Sequence, residues 1–271
     1  MTDSILAGLR RDGLPAVMGI VNITPDSFSD GGRYVVARQA IDHARRLVDE
    51  GADILDIGAE STRPGAQSVS VEEELDRLLP VLQAVRDLGV AVSVDTMKPT
   101  VMRAALAAGA TMINDVNGFQ AEGAWLAVRD STCALCVMHM QGMPRTMQEA
   151  PSYTNVVDEV EAFLIERIES AKAVGIGRER ICIDPGFGFG KTLEHNLDLL
   201  AALPRFARLA PVLVGLSRKR MIGALTGRDI PDRLAGSLAA ALRAVQNGAA
   251  IVRVHDVAAT VDALKIWMAT R

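Results

Sequence analysis

Polar side chains able to do chemistry recur in one setting along this chain: at or just past the end of an apolar run. Asn22 closes AVMGIVN, Asp95 closes VAVSVD, Asn114 and Asp115 close TMIND, and Asp184 closes ICID. Asp56 lies in ADILDIG, His139 ends ALCVMH, and Ser217, Arg218 and Lys219 follow PVLVGL. A carboxylate accepts paired N–H bonds from an amidine-like edge. An amide both donates and accepts, and a lysine donates to a carbonyl or ring nitrogen. Several such groups facing one mouth would therefore suit a polar heterocycle. Taken singly, each Asp reads equally well as a helix N-cap. Arg253 and His255 of IVRVH are two apart and project to the same side of a strand. They suit a phosphate or diphosphate, or else a buried ion pair with a nearby Asp.

The run DPGFGFGKT invites comparison with a phosphate-binding P-loop, whose pattern is G-x-x-x-x-G-K-[ST]. Counting back from Gly190-Lys191-Thr192 puts Pro185 where the first glycine belongs. Proline has no N–H to offer a phosphate. Asp184 instead reads as a recognition group. Pro185 and Gly186 turn the chain away, and the glycines allow close approach of backbone and ligand.

Two loops carry further candidates. VNITPDSFSDGGRY is long for a strand-to-helix connection, and long loops in compact domains are usually functional or disordered; it reads as a lid over the site, with Phe28 a contact for a ring. GAESTRPGAQSVS holds Arg63 among Ser, Thr and Gly. Its fork suits an anion, although a solvated loop arginine fits equally. The methionines of VMHMQGMPRTMQ read as gap fillers or as the lining of an adaptable pocket. His139 has the chemistry of a metal ligand but lacks an H-x-x-x-H or H-E-x-x-H partner. His43 and His195 fall in helical stretches and read as surface residues. Cys133 and Cys136 form a C-x-x-C, yet residues three apart on a strand face opposite ways, so they read as structural.

The elements that must position these groups alternate along the chain. Strands are expected at 16–22, 52–58, 90–95, 111–115, 134–139, 181–184, 211–216 and 250–255, and amphipathic stretches follow nearly every one. Pro80 is expected to kink or divide the helix VEEELDRLLPVLQAVRDLG. Eight such units point to an α/β fold, a (β/α)8 TIM barrel, with the strand ends sharing one face where active sites are built. A doubly wound open sheet is the alternative. No composition break suggests a second domain, so residues 1–271 read as one domain after a short N-terminal segment, 1–15.

Composition agrees. The 271 residues are 49% hydrophobic and 23% charged, with a net charge of -4, which suits one large soluble domain. No basic stripe interleaved with aromatics suggests nucleic acid. No apolar run suggests a membrane span, and the N-terminus lacks a signal-peptide core. Three cysteines, an odd count, fit a reducing compartment, so a cytoplasmic location is expected.

With these segments in view, the chain resembles the dihydropteroate synthase family of folate biosynthesis, the target of sulfonamide drugs, over about residues 16 to 268. The resemblance rests on MGIVNITPDSFSDGG, GADILDIGAESTRPGA, SVDT, INDVNGF, VMHMQGMPRTMQ, DPGFGFGKT, GLSRKRMIG and VRVHDV, in that order. It implies a TIM barrel, generally a homodimer. The activity implied is a transferase reaction that joins 6-hydroxymethyl-7,8-dihydropterin diphosphate to 4-aminobenzoate with Mg2+, releasing 7,8-dihydropteroate and diphosphate. It implies that Asp95, Asn114, Asp184 and Lys219 bind the pterin, with Arg253 beside it. Asn22, Arg63, Arg253 and His255 would hold the diphosphate, and Asn22 would also lie near Mg2+. Phe28, Thr62, Pro64, Phe189 and Ser217 would surround the 4-aminobenzoate. The catalytic set implied is Asn22, Arg63, Asp95, Lys219, Arg253 and His255. Ile23 and Ala59 stand where the family often has other small or apolar residues.

Two further readings share the barrel. A pterin-binding methyltransferase would share part of the ring site, but the Asn22 and Arg63 loops argue against it. A paralogue that binds without turnover would be expected to have lost loop residues that are present here. Fold alone does not separate them.

Overall fold

The strands β1 (Ala16–Asn22), β2 (Ile54–Gly58), β3 (Ala91–Asp95), β4 (Met112–Asp115), β5 (Ala134–Met138), β6 (Ile181–Asp184), β7 (Val212–Val214) and β8 (Ala249–Val254) close in chain order into a parallel barrel. The computed structural model describes residue 6 and residues 14–23, 32–61, 68–143 and 146–270. The open-sheet alternative is thereby excluded, because β8 pairs with β1. Every strand but β1, β3 and β8 is buried along its whole length. That is why the runs read as continuous rather than alternating: both faces of a parallel barrel are covered.

Helices wrap the outside: α1 (Gly32–Asp49), α2 (Val71–Val85), α3 (Pro99–Ala107), α4 (Ala124–Val128), α5 (Val156–Ala173), α6 (Leu193–Ala201), α7 (Leu203–Phe206), α8 (Arg220–Thr226), α9 (Leu234–Gln246) and α10 (Val257–Ala269). Their starts are written in the sequence. Ser70 accepts from the Glu73 N–H at 3.1 Å to cap α2, and Asn155 accepts from Val157 and Asp158 to cap α5. Thr192 and His195 cap α6 reciprocally, so His195 is a half-buried cap rather than a surface residue. His43 is also half-buried, its Nε2 lying 3.2 Å from the Ile20 carbonyl. Helix α2 runs through Pro80 without a break, against the expected division. Leu78, Val81, Leu82 and Val85 are all buried on its inner face, and that burial outweighs the roughly 3 kcal/mol an interior proline costs.

The side chains form two nested cores. Met18, Ile54, Met112, Cys136, Cys182 and Leu213 fill the barrel interior. Val21, Leu55, Ile57 and Val94 face outward onto Leu47, Leu78 and Leu82 of the helices. Cys136 belongs to the inner core and Cys133 to the outer one, as strand geometry requires. All three cysteines are free.

Candidate active site

Register builds the floor of the site. Asn22 pairs with Gly58, Gly58 with Asp95, and Asp95 with Asn114, so the four form one rung at the ends of β1 to β4. Across the barrel Met138 of β5 pairs with Asp184 of β6. Gly58 leaves the space between Asn22 and Asp95 open. A Cβ there would lie 3.6 Å from the Asp95 Cβ and 3.9 Å from Asn22 Oδ1.

Beneath and across this rung, Arg253 of β8 ties the acids together. Its Nε donates to Asp56 Oδ2 at 2.6 Å, and a terminal nitrogen donates to Asp95 Oδ2 at 3.2 Å. Asn114 donates to the same Asp56 oxygen at 3.3 Å. Burial and the neighbouring Asp56 carboxylate push Asp95 up to about 8, against the pull of Arg253. Burial works against the Arg253 charge, but Asp56 and Asp95 hold the guanidinium above its usual range. The two readings of Arg253 are thus not exclusive: the buried ion pair exists, and its partners belong to the site. Asp56 Oδ1 and Asn114 Oδ1 are buried and find no hydrogen-bond partner among the described residues. Buried acceptors of this kind invite a donor-rich ligand edge.

Asp184 is buried, and its Oδ1 accepts from the Gly186 N–H at 2.7 Å. Burial raises its pKa, opposed by Lys219, that N–H, Lys191 and Arg253. Gly186 has φ +74°, and a Cβ there would fall 1.8 Å from the His139 carbonyl oxygen, so no other residue fits. Like that of Gly186, two further N–H groups of the glycine-rich turn are used internally. Gly188 donates to Asn196 Oδ1 at 2.7 Å and Phe189 to the Gly186 carbonyl at 3.1 Å. This completes the case against a P-loop, whose N–H groups must face the phosphate.

Lys219 follows β7. Its ammonium donates to the Phe187 carbonyl and sits 4.6 Å from the Phe189 ring centroid, a cation–π distance. Burial pulls it down to about 8, against the Asp184 carboxylate. Its place depends on Arg218, a non-glycine residue at φ +58°. Such strain persists only where the surroundings over-determine it. Ser237 accepts from the Arg218 N–H at 3.0 Å, Arg233 donates to its carbonyl at 3.1 Å, and Asp256 takes its guanidinium on two oxygens. Ser217 Oγ accepts from the His255 N–H at 3.3 Å and lies 3.1 Å from His255 Nδ1. His255 therefore stands at the β8 end beside the loop after β7.

The strand-borne candidates Asn22, Asp95, Asn114, Asp184 and Arg253 meet at the barrel mouth, with Ser217, Lys219, His255 and Phe189 on its rim. Phe28, Thr62, Arg63 and Pro64 lie outside the described residues. His139 is no metal ligand in this setting: its Nδ1 faces the Lys191 ammonium at 3.0 Å. Among the described residues no three His, Cys, Asp or Glu side chains gather as a metal cluster.

Sequence reasoning placed Asp56 at a strand end without a role, and it is the hub that joins Arg253 to Asn114. It also passed over a buried network behind the β2 end. Lys98 donates to Glu60 and Glu74 at 2.6 Å each and to the Val69 carbonyl at 2.8 Å. Buried Glu74 sits among ordinary helix-face glutamates, so no local signal marks it. Asp115, pushed up to about 7 by burial, accepts from the Asn117 and Phe119 N–H groups and holds a turn.

Comparison with known proteins gives consistent results. The family model described as pterin binding enzyme matches residues 18–255. The dihydropteroate synthase of Escherichia coli strain K12 is 50% identical over 258 residues, covering 94% of this chain and 92% of that protein. The solved structure of Xanthomonas albilineans dihydropteroate synthase with 4-aminobenzoic acid matches with a TM-score of 0.89 at 56% identity, covering 95% of this chain and 93% of that one. That of Burkholderia cenocepacia dihydropteroate synthase complexed with 7,8-dihydropteroate matches with a TM-score of 0.87 at 53% identity, covering 95% and 91%.

Proposed function

This chain belongs to the pterin-binding enzyme family, with the transferase activity of a dihydropteroate synthase, and from that premise we propose how its residues divide the work. The reaction condenses 6-hydroxymethyl-7,8-dihydropterin diphosphate with 4-aminobenzoate to give 7,8-dihydropteroate and diphosphate. The observation that carries the assignment is the rung of Asp95 and Asn114, facing Asp184 across a mouth crossed by Arg253.

Asp95, Asn114 and Asp184 receive the donor edge of the pterin, and Lys219 donates to its acceptors. Arg253 lies beside the ring and reaches the diphosphate with Asn22, Arg63 and His255. Phe189 and Ser217 border the 4-aminobenzoate, together with Phe28, Thr62 and Pro64, whose roles rest on their place in the motifs. Charge neutralisation on the diphosphate makes it a leaving group. The methylene C–O bond breaks with its electron pair going to diphosphate, and the electron-rich pterin stabilises the cation that remains. The aniline nitrogen then forms the new C–N bond and loses a proton. A cationic electrophile needs no strong base.

Mg2+ takes few protein ligands and keeps water and phosphate oxygens. Asn22 is exposed at the rim, with its Oδ1 on the same open rung as Asp95, and so fits a cation held mainly by the diphosphate. The ion would supply further charge neutralisation. A homodimer and a cytoplasmic setting complete the proposal. No helix among the described residues is long and apolar enough to cross a membrane.

The test is turnover of the purified chain with both substrates and Mg2+. Stoichiometric dihydropteroate and diphosphate, lost when either substrate is omitted, is the expected result. Tight binding of the pterin diphosphate without product would mean a chain that has kept the site and lost the reaction.

A further inference from the structure

The turn after β6 is held by its carbonyls as well as its N–H groups. Four consecutive carbonyl oxygens each receive a side-chain donor. Phe187 takes Lys219, Gly188 takes Gln148, Phe189 takes Lys191 at 3.0 Å, and Gly190 takes the Tyr153 hydroxyl at 2.9 Å. Three of these donors come from outside the turn. Lys191 comes from its own end and is among the most buried charged side chains here, 3% exposed.

Lys191 is tied on its other side to the strand next door. Its ammonium meets His139 Nδ1 at 3.0 Å. The His139 N–H in turn donates to the Asp184 carbonyl at 3.0 Å, and its ring packs edge-on against Phe163 at 4.9 Å. The titratable groups around Lys191 are His139 after β5, Asp184 of β6, Lys219 after β7 and Tyr153 ahead of α5. Burial is the main influence and pulls Lys191 down to about 7, with Asp184 opposing and Lys219 adding to it. An ammonium is kept in such a place by hydrogen-bond acceptors, and the Phe189 carbonyl and His139 Nδ1 take two of its three donors.

We infer that Lys191 is a positioning residue for the reaction: by holding the Phe189 carbonyl against His139, it fixes both the Phe189 ring and the Phe187 carbonyl that sets Lys219. The inference rests on the reading that Lys219 meets the pterin and that Phe189 borders the 4-aminobenzoate. It assigns a task to the lysine that makes the turn look like a P-loop. That lysine points inward, away from any phosphate, and organises two substrate subsites at once.

The test compares wild type with Lys191→Met, which keeps the stem and removes the donor, and Lys191→Gln, which keeps a donor without charge. Expected for Lys191→Met is a KM raised about tenfold for both 6-hydroxymethyl-7,8-dihydropterin diphosphate and 4-aminobenzoate. Partial recovery in Lys191→Gln is expected. The His139 ring, held down to about 3 by burial and by Lys191, should titrate higher by NMR in the methionine variant. A folded Lys191→Met with both KM values unchanged overturns the inference, even if its Tm falls. Should that variant fail to fold, Lys191→Gln is compared with wild type by the same two KM values. A rise in both supports the inference, and no change overturns it. Lys219→Met is measured alongside. If it keeps full pterin diphosphate affinity, the underlying assignment of Lys219 fails. If it loses affinity while Lys191→Met does not, only the positioning role fails.

Discussion

Asp184 bears the sharpest expectation at the scale of single residues. It is buried, it faces the rung proposed to bind the ring, and its carboxylate's one described hydrogen bond is from a neighbouring backbone N–H. Asp184→Ala should therefore weaken pterin diphosphate binding by about 100-fold or more, the loss expected of a charged hydrogen-bonding group. Calorimetric titration measures it, and wild-type affinity in that variant would remove Asp184 from the ring site. The pH dependence follows from two neighbours. On the proposed reading Asp95 accepts from the ring as a carboxylate, and its pKa stands at about 8. Lys219 must be protonated to donate, and its pKa also stands at about 8. Affinity should rise as pH climbs toward 8 and fall beyond it. In Lys219→Met the part of the alkaline fall centred near 8 should vanish while the acid limb stays. A titration series across that range decides the point, and an alkaline limb retained without Lys219 would assign it to another group.

Elements carry these residues by two means, register and buried ties. The Lys98 ammonium joins the end of β2, through Glu60, to α2, through Glu74, next to the start of its own helix α3. Lys98→Met should cost about 2 kcal/mol, less than a fully buried pair because Lys98 is partly exposed, and mainly because Glu74 would be left buried and unpaired. Denaturant midpoints at constant slope would show it. Gly186→Ala should be far worse, since the added methyl would meet the His139 carbonyl at 1.8 Å and the backbone is left-handed there. Soluble, fully active Gly186→Ala protein would mean the turn can move aside. Strands and their polar ends were legible because burial on both faces writes an unbroken apolar run, and a carboxylate after it stands out. β1 and β6 have the expected limits, while β7 is shorter by several residues because the chain leaves the sheet into the strained turn at Arg218. Lys191, Asp56 and Glu74 were not legible as functional supports. Their partners lie far along the chain or across the barrel, and nothing local distinguishes a lysine that turns inward from one that faces solvent.

Across the whole molecule the site appears as a cost to stability. Asp95 is held well above the ordinary carboxylate range, so the folded chain keeps a proton that the unfolded chain releases. That contribution is full below about pH 4 and declines as pH rises to about 8. Asp95→Asn does not titrate and mimics the protonated acid. Its Tm should exceed that of wild type by an amount that grows from pH 5 to pH 8, reaching about 5 °C, while pterin binding is lost. Scanning calorimetry at several pH values tests this, and a Tm difference independent of pH would refute it.

The single rung that joins Asn22, Gly58, Asp95 and Asn114 also bears on heredity. Asn22, Asp95 and Asn114 are each a proposed recognition group and a link in the closed sheet, and Gly58 keeps the space between Asn22 and Asp95 open. A substitution that barred an unwanted molecule from this floor would also remove a group proposed to hold the natural ligand. Descendants of this gene therefore have almost no viable route to escape a compound that mimics the ring alone. Variation that survives must collect where side chains hang from connections rather than from strands.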